Sequence, residues 1–341
     1  MQCAKTCLRK FRLAYGLGLR PNVDAAPLRI GKAVHKGVDL WRRTKDTDAA
    51  ILDVLSEYDA WAPPDAFAAD YAIERETVAR LLAAYFWRWG DDGLSVVASE
   101  LPFDIELENP ATGAASRTWT LAGKMDAIVT LPDSRLALEE LKTCGQDIGP
   151  ESDYVKRLRI DAQISLYFDA AKKTGHDVQT VLYDIIRKPT IRPKSIPVLD
   201  DAGLKIVLDQ TNGQRVFKKD GEPRRSATDG QIMQIRIELP QEYGDRLTAD
   251  IGERPDFYFA RYEIPRLDAD LIEARFEFWQ MGQLLRDCEK FGRWPRNTGS
   301  CIGFGRCPYF ELCTGGYEIE SGIIPAGFVR VDDVHQELVT E

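Results

Sequence analysis

No apolar run in this 341-residue sequence approaches the length needed to cross a bilayer, so no membrane-spanning segment is expected. The opening MQCAKTCLRKF lacks an apolar core, so it does not read as a signal peptide, and a cytoplasmic location is the expectation. The pattern Gly-x-x-x-x-Gly-Lys-Ser/Thr is absent, so any helicase motor working with this protein must belong to another chain. Positive charge is not in excess either. A net charge of -9 argues against a generic basic coat for nucleic acid, yet leaves room for a basic groove on an acidic body. Internal repeats and low-complexity tracts are also lacking.

What is present is globular in proportion, with 44% hydrophobic and 29% charged residues in a chain long enough for one large domain or two modest ones. Seven cysteines in a cytosolic chain are better candidates for metal ligation or burial than for disulfides. Basic residues gather at Arg9, Lys10 and Arg12, at Lys156, Arg157 and Arg159, and at Arg187, Lys188, Arg192 and Lys194. Any one such cluster, standing alone, reads as a solvated face.

Apolar spacing predicts a short amphipathic helix over Ala4 to Tyr15, then a Pro/Asp/Ala linker from Pro21 to Pro27. Val34, Val38 and Trp41 after Gly31 predict a helix with His35 near its first turn. Ile51 to Trp61 and Tyr71 to Trp89 read as a helical hairpin. From Leu94 the period changes to two, giving strands over Leu94 to Leu107, Ser116 to Leu131 and Arg135 to Thr143. A helix over Val155 to Lys173 and a strand over Val178 to Arg187 follow. Lys188 to Ser195 must leave the sheet, and Lys205 to Tyr262 is mixed, with a surface loop from Gly213 to Gly230. A long helix spans Asp268 to Lys290, with Ala274, Phe278, Met281, Leu285 and Cys288 on its seam, before a cysteine-rich segment and a short acidic tail. The order predicts a mixed α/β core with helical additions at both ends.

Chemistry concentrates in Leu121 to Lys142, two strands joined by a Pro-Asp-Ser turn. Strand alternation puts Leu136, Leu138, Glu140 and Lys142 on one face, and Ala137, Glu139 and Leu141 on the other. Glu140, not Glu139, therefore accompanies the lysine, and Glu139 is expected to be peripheral or to lie outside the immediate shell of any metal. Asp126 with Glu140 and Lys142 is a set suited to metal-assisted phosphodiester hydrolysis: carboxylates hold a hard cation and the lysine offsets developing charge. By itself, a Glu-x-Lys reads as an ion pair on an edge strand.

Four signals in order change that reading. They are His35 in GKAVH, Asp126 in GKMD, Glu140-Leu141-Lys142 fourteen residues later, and Gln163 with Tyr167 four apart on one helical face. At these residues the chain resembles the RecB/AddB-like exonuclease branch of the PD-(D/E)XK nuclease superfamily, and is similar to CRISPR-associated adaptation nucleases. The resemblance implies a restriction-endonuclease-like fold, a mixed central sheet flanked by helices. It implies one nuclease domain over 1-341, with an N-terminal helical part (1-93), a catalytic core (94-195), a variable insertion (196-262) and a C-terminal helix with a cysteine cluster (263-341). His35, Asp126, Glu140 and the carbonyl of Leu141 would hold Mg²⁺ or Mn²⁺. Lys142 would act on the attacking water or the scissile phosphate, and Gln163 and Tyr167 would orient the catalytic strand or the DNA. One departure is Met125, where the family often carries Ile or Val before the aspartate. A flexible apolar filler there changes little.

Cys301, Cys307 and Cys313 recur with five residues between neighbours in GSCIGFGRCPYFELC. In the iron-sulfur members of this branch a fourth cysteine lies on the first helix. Cys7, followed by a basic-aromatic run, fits that place better than Cys3, although Cys3 lies one helical turn away. By resemblance Cys7, Cys301, Cys307 and Cys313 would hold a [4Fe-4S] cluster, a mainly structural group joining the helical additions. A structural Zn²⁺ is the alternative, and the first gap is longer than the family's commonest one. Cys144 and Cys288 read as small core residues.

The implied partner is DNA, as single strands or ends, with Arg9, Lys10, Arg12, Arg157, Arg159, Arg187 and Lys188 lining a strand channel and Tyr15 or Trp41 available for stacking. The leading expectation is a metal-dependent DNA exonuclease in recombination, repair or phage DNA processing. A CRISPR-adaptation-type nuclease is one alternative. A helicase-associated DNA-binding subunit with a vestigial site is the other, and the intact His35, Asp126, Glu140 and Lys142 argue against it.

Overall fold

A computed structural model describes the chain apart from positions 62, 64, 304, 316–321, 336, 337 and 339–341. The last residues of the expected acidic tail thus lie outside the described residues. In chain order, α1 (Gln2–Thr6), α2 (Leu8–Phe11) and a π-helical turn (Arg12–Gly16) lead to β1 (Leu19–Pro21) and α3 (Ala26–Thr44). Next come α4 (Thr47–Ala60), α5 (Asp65–Trp89), β2 (Ser95–Glu108), β3 (Ala115–Thr130) and β4 (Leu136–Cys144). They are followed by α6 (Asp153–Leu158), α7 (Ala162–Lys173), β5 (Thr180–Arg187), β6 (Ser195–Pro197) and β7 (Val207–Asp209). The remainder is β8 (Gln231–Met233), β9 (Ile235–Ile237), α8 (Pro240–Glu253), α9 (Pro255–Tyr258), β10 (Phe259–Ile264), α10 (Asp268–Phe291), a 3-10 turn (Thr298–Ser300), α11 (Phe310–Thr314) and β11 (Phe328–Arg330).

Two compact units result, one made of Met1–Lys45, Asp91–Arg187 and Phe259–Glu341, the other of Asp46–Gly90 and Lys188–Tyr258. The first unit is built on a five-stranded sheet of order β10-β5-β4-β3-β2. β2, β3 and β4 form the expected antiparallel meander; β4 and β5 are parallel, and β10 returns antiparallel. A parallel pair needs a crossover, which α6 and α7 supply. β4 is therefore interior, not the edge strand of a simple surface ion pair. From Thr180 to Ile186, β5 is buried at every position, as a strand covered on both faces must be. Met125, Ile128, Leu138, Tyr183 and Ile185 pack with Ile164, Tyr167 and Phe168 of α7 and with Leu271, Ala274 and Phe278 of α10. This is the mixed sheet flanked by helices expected of a restriction-endonuclease-like fold.

Several boundaries differ from expectation. The first helix is interrupted at Cys7, whose backbone is extended (φ -166, ψ 118), so the thiol sits at a break. α3 starts at Ala26, where Pro27 presets the helical φ at no hydrogen-bond cost. His35 thus lies well inside α3, not near its start. Gly31 is also within that helix, where a Cβ would come 3.1 Å from Thr143 Oγ1 at the end of β4; the missing side chain is what lets helix and strand approach. The single helix expected over Val155 to Lys173 is two, because the chain turns at Arg159–Asp161. α8 and β10 form within the stretch that read only as mixed.

The chain ends meet within the first unit. β1 pairs antiparallel with β11, Leu19 opposite Arg330. Asn297 Nδ2 and Ser300 Oγ donate to the carbonyl of Thr6 at 2.9 and 3.2 Å. In the second unit, α5 presents Val78, Leu81, Leu82 and Tyr85 to its core, and α8 adds Tyr243, Leu247 and Ile251. Short pairs β6–β9 and β7–β8 accompany them. Among the described residues no helix is long and apolar enough to cross a membrane.

Candidate functional site

Pairing between β3 and β4 ends at Ala127 opposite Glu139. Past that point the strands part, and Asp126 fills the fork: its Oδ2 accepts the Leu141 N–H at 2.9 Å. Lys142 Nζ donates to Glu140 Oε1 at 2.5 Å and lies 3.5 Å from Gln163 Oε1. Gln163 Nε2 in turn donates to the Tyr167 hydroxyl at 2.7 Å. From α3, His35 Nδ1 comes to 3.7 Å from Asp126 Oδ2. The six side chains singled out in the sequence thus gather in one place. Leu141 joins them through its N–H, whereas the expectation concerned its carbonyl.

Tyr167 is held by shape. Its ring meets Phe103 edge-on at 5.5 Å, and Gly123 lies beneath the pair, where a Cβ would be 2.7 Å from Phe103 and 3.2 Å from Tyr167.

Burial dominates the electrostatics. It pushes the Asp126 carboxyl up to about 6, against the Leu141 N–H that favours the charged form. Burial, reinforced by the nearby Asp126 charge, pushes Glu140 up to about 7. His35 is lowered, again by burial. Burial also acts to lower Lys142, but Glu140 and Asp161 outweigh it and the ammonium is raised. Glu140 Oε2 is buried with no hydrogen-bond partner among the described residues, and such an orphaned oxygen is costly unless something uses its lone pairs. Two desolvated carboxylates, one of them with an orphan oxygen, and an imidazole form a donor set that fits a hard divalent cation. Among the described residues, no three or more His, Cys, Asp or Glu side chains are already drawn into ligating geometry.

Parity separates the two glutamates, as expected, but Glu139 is not peripheral. Fully buried, it accepts from Arg42 of α3, which also reaches Asp184 Oδ2 at 3.2 Å. Arg261 joins Asp184 at 2.9 Å and Asp92 at 2.6 Å, extending the network across β4, β5 and β10. α3 thus carries both His35 and the arginine that anchors the strand bearing Glu140.

Two further residues escaped the sequence reading. Asp161 caps α7, accepting from the Gln163 N–H at 3.0 Å, and its other oxygen lies 3.8 Å from Lys142 Nζ. An Asp two residues before Gln163 is an N-cap signal that could have exposed it. Arg266, only 7% exposed, donates to the carbonyls of Leu158, Arg159 and Asp161 and to Tyr183, which forces the turn between α6 and α7. No local pattern announces that clamp.

Cys7, Cys301, Cys307 and Cys313 line one cavity of about 500 Å³, together with Lys10 and Arg296; Cys3 is not among its lining residues. All four are free thiols. The Cys307 N–H donates to the Cys301 carbonyl at 2.8 Å, and the Asn297 N–H approaches Cys7 Sγ at 3.5 Å. Burial raises the Cys313 thiol against the pull of Arg9 and Arg296. Cys144 and Cys288 are buried, as expected. Of the candidate stacking residues, Trp41 is only 3% exposed and belongs to the core, while Tyr15 stacks between Phe11 and His335. Arg157 and Arg159 are exposed.

A family model described as the PD-(D/E)XK nuclease superfamily matches residues 1–314. No curated protein matches the chain. Among solved structures, the crystal structure of SSO0001 shares 11% identity over 78% of this chain and 95% of that one, with a TM-score of 0.28, too slight a likeness to argue from.

Proposed function

The chain belongs to the PD-(D/E)XK nuclease superfamily and is a metal-dependent nuclease; from that premise we propose that it is a DNA exonuclease of the RecB/AddB-like branch, working on single strands or ends. The observation that carries the reading is the fork itself: Asp126 and Glu140 desolvated, Glu140 Oε2 without a partner, and Lys142 held beside them.

His35, Asp126, Glu140 and the Leu141 carbonyl would hold Mg²⁺ or Mn²⁺. When bound, the cation polarises the scissile phosphate and lowers the pKa of attacking water. Glu140 restrains Lys142, whose ammonium orients the water or stabilises charge on the phosphate oxygens. Gln163 steadies Lys142 from the far side and is itself fixed by Tyr167. Exposed Arg157 and Arg159 suit phosphate contacts. The preference for ends over continuous strands rests on the resemblance.

The same reading assigns a [4Fe-4S] cluster to Cys7, Cys301, Cys307 and Cys313, supported by their shared cavity. Closing a loop between the first helices and the C-terminal segment would restrict the unfolded chain, giving the cluster a mainly structural role. Cys307→Ala should bleach the protein and lower its melting temperature; an unchanged visible spectrum and melting would defeat the cluster assignment.

The activity is tested with end-labelled linear and closed circular DNA, single- and double-stranded, with Mn²⁺ or Mg²⁺, beside Lys142→Ala. Stepwise loss from labelled ends by wild type alone is expected. Equal activity of the variant would defeat the mechanism, and cutting of closed circles would make the protein an endonuclease.

A further inference from the structure

A third carboxylate stands beside the fork, on β2. Ser99 pairs with Ala127 and Leu101 with Met125, so the intervening Glu100 lies across the ladder from Asp126. The ion pair of Glu100 with Lys124, two residues before Asp126 and so on the same strand face, puts the Glu100 carboxylate on that side. Glu100 has φ 50, a left-handed backbone that is strained for a non-glycine residue. The position is inside a paired strand, so no turn requires it. The Glu100 carboxylate is ion-paired with Lys124 and is 37% exposed. Its charge reaches both His35 and Asp126, favouring the protonated form of each.

An independent observation points to a ligand. The Glu140 side chain is 5% exposed, its Oε1 engaged by Lys142 and its Oε2 without a hydrogen-bond partner among the described residues. A buried oxygen of this kind beside Asp126 is half of a cation site. Without a cation, a further carboxylate next to two desolvated ones is repulsive, and Lys124 offsets it from outside.

We propose that Glu100 is an additional carboxylate of the divalent-cation centre, exchanging Lys124 for the cation when the site fills. The proposal rests on the metal-centre reading of Asp126 and Glu140. It adds a group outside the four sequence signals. Three carboxylates with one imidazole favour hard cations such as Mn²⁺ and Mg²⁺.

The experiment is Mn²⁺ titration of the full chain without DNA, by calorimetry and by the free-ion electron spin resonance signal. Glu100→Gln should weaken Mn²⁺ binding about tenfold or more, the loss typical of groups that support a metal site. Lys124→Met should tighten binding, and Glu100→Gln with Lys124→Met should lose that gain. Wild-type affinity in Glu100→Gln, or an equal gain from Lys124→Met with and without Glu100, overturns the proposal. Should Glu100→Gln not fold, the Lys124→Met arm decides alone: no gain in affinity overturns it. Unaltered Mn²⁺ binding in Asp126→Asn with Glu140→Gln would instead overturn the metal-centre reading, and the proposal with it.

Discussion

Arg42→Met gives a test of how the site is framed. The Arg42 side chain is 7% exposed and meets Glu139 and Asp184, each 0% exposed. Asp184 is also paired with Arg261 at 2.8 Å, so the loss should fall on Glu139. Removing one partner of a buried pair costs about 3–5 kcal/mol, because the other charge is left in a low-dielectric interior. The Glu139 carboxyl is already pushed up to about 7 by burial against the pull of Arg42, and losing that pull raises it further. A folded-state pKa above the unfolded one means stability present at low pH and lost as pH rises through it. The destabilisation should therefore be larger at pH 8 than at pH 6, where the variant buries a protonated glutamate. Urea unfolding of metal-free wild type, Arg42→Met, Glu139→Gln and the double variant, at both pH values, measures this. A coupling of about 1–3 kcal/mol is expected between the two sites. Additive effects, or a cost that does not grow with pH, would refute the buried ion pair as the anchor of α3.

Two other outcomes follow from the fork. Asp126 is raised from 3.8 to about 6, so its contribution to stability is full below about pH 4 and lost as pH passes 6. Asp126→Asn should accordingly gain on wild type in metal-free melting temperature between pH 4 and 7, and a pH-independent difference would contradict the shift. Asp161→Asn keeps an equivalent helix cap but drops the charge near Lys142, whereas Asp161→Ala loses both, at about 1 kcal/mol for the cap. Near-native melting with a reduced cleavage rate is expected for the Asn variant; full activity there would show that the 3.8 Å approach to Lys142 does nothing.

Much of the site was legible from local rules. Period-two alternation located β2, β3 and β4 nearly to the residue and separated Glu140 from Glu139. Gln163 and Tyr167, four apart, lie on one face of α7 because helical spacing demands it. The seam of α10 is buried as its spacing indicated, apart from the half-buried Met281. Where the reading slipped, a distant group had intervened. The split of α6 from α7 is clamped by Arg266, over a hundred positions downstream, which donates to the carbonyls of Leu158, Arg159 and Asp161 at the turn. The break at Cys7 accompanies hydrogen bonds from Asn297 and Ser300 to Thr6.

By itself, then, the sequence determined the strands, the helical faces and the set of chemistry-bearing residues, because those follow from periods of two and 3.6 and from side-chain chemistry. Only the tertiary structure decided that β4 is interior, that Glu139 is buried against Arg42, and that Glu100 lies opposite Asp126. Such facts depend on which strands pair, in what register, and where a ladder ends. Those are set by contacts between residues far apart in the chain, and no local window of sequence contains them.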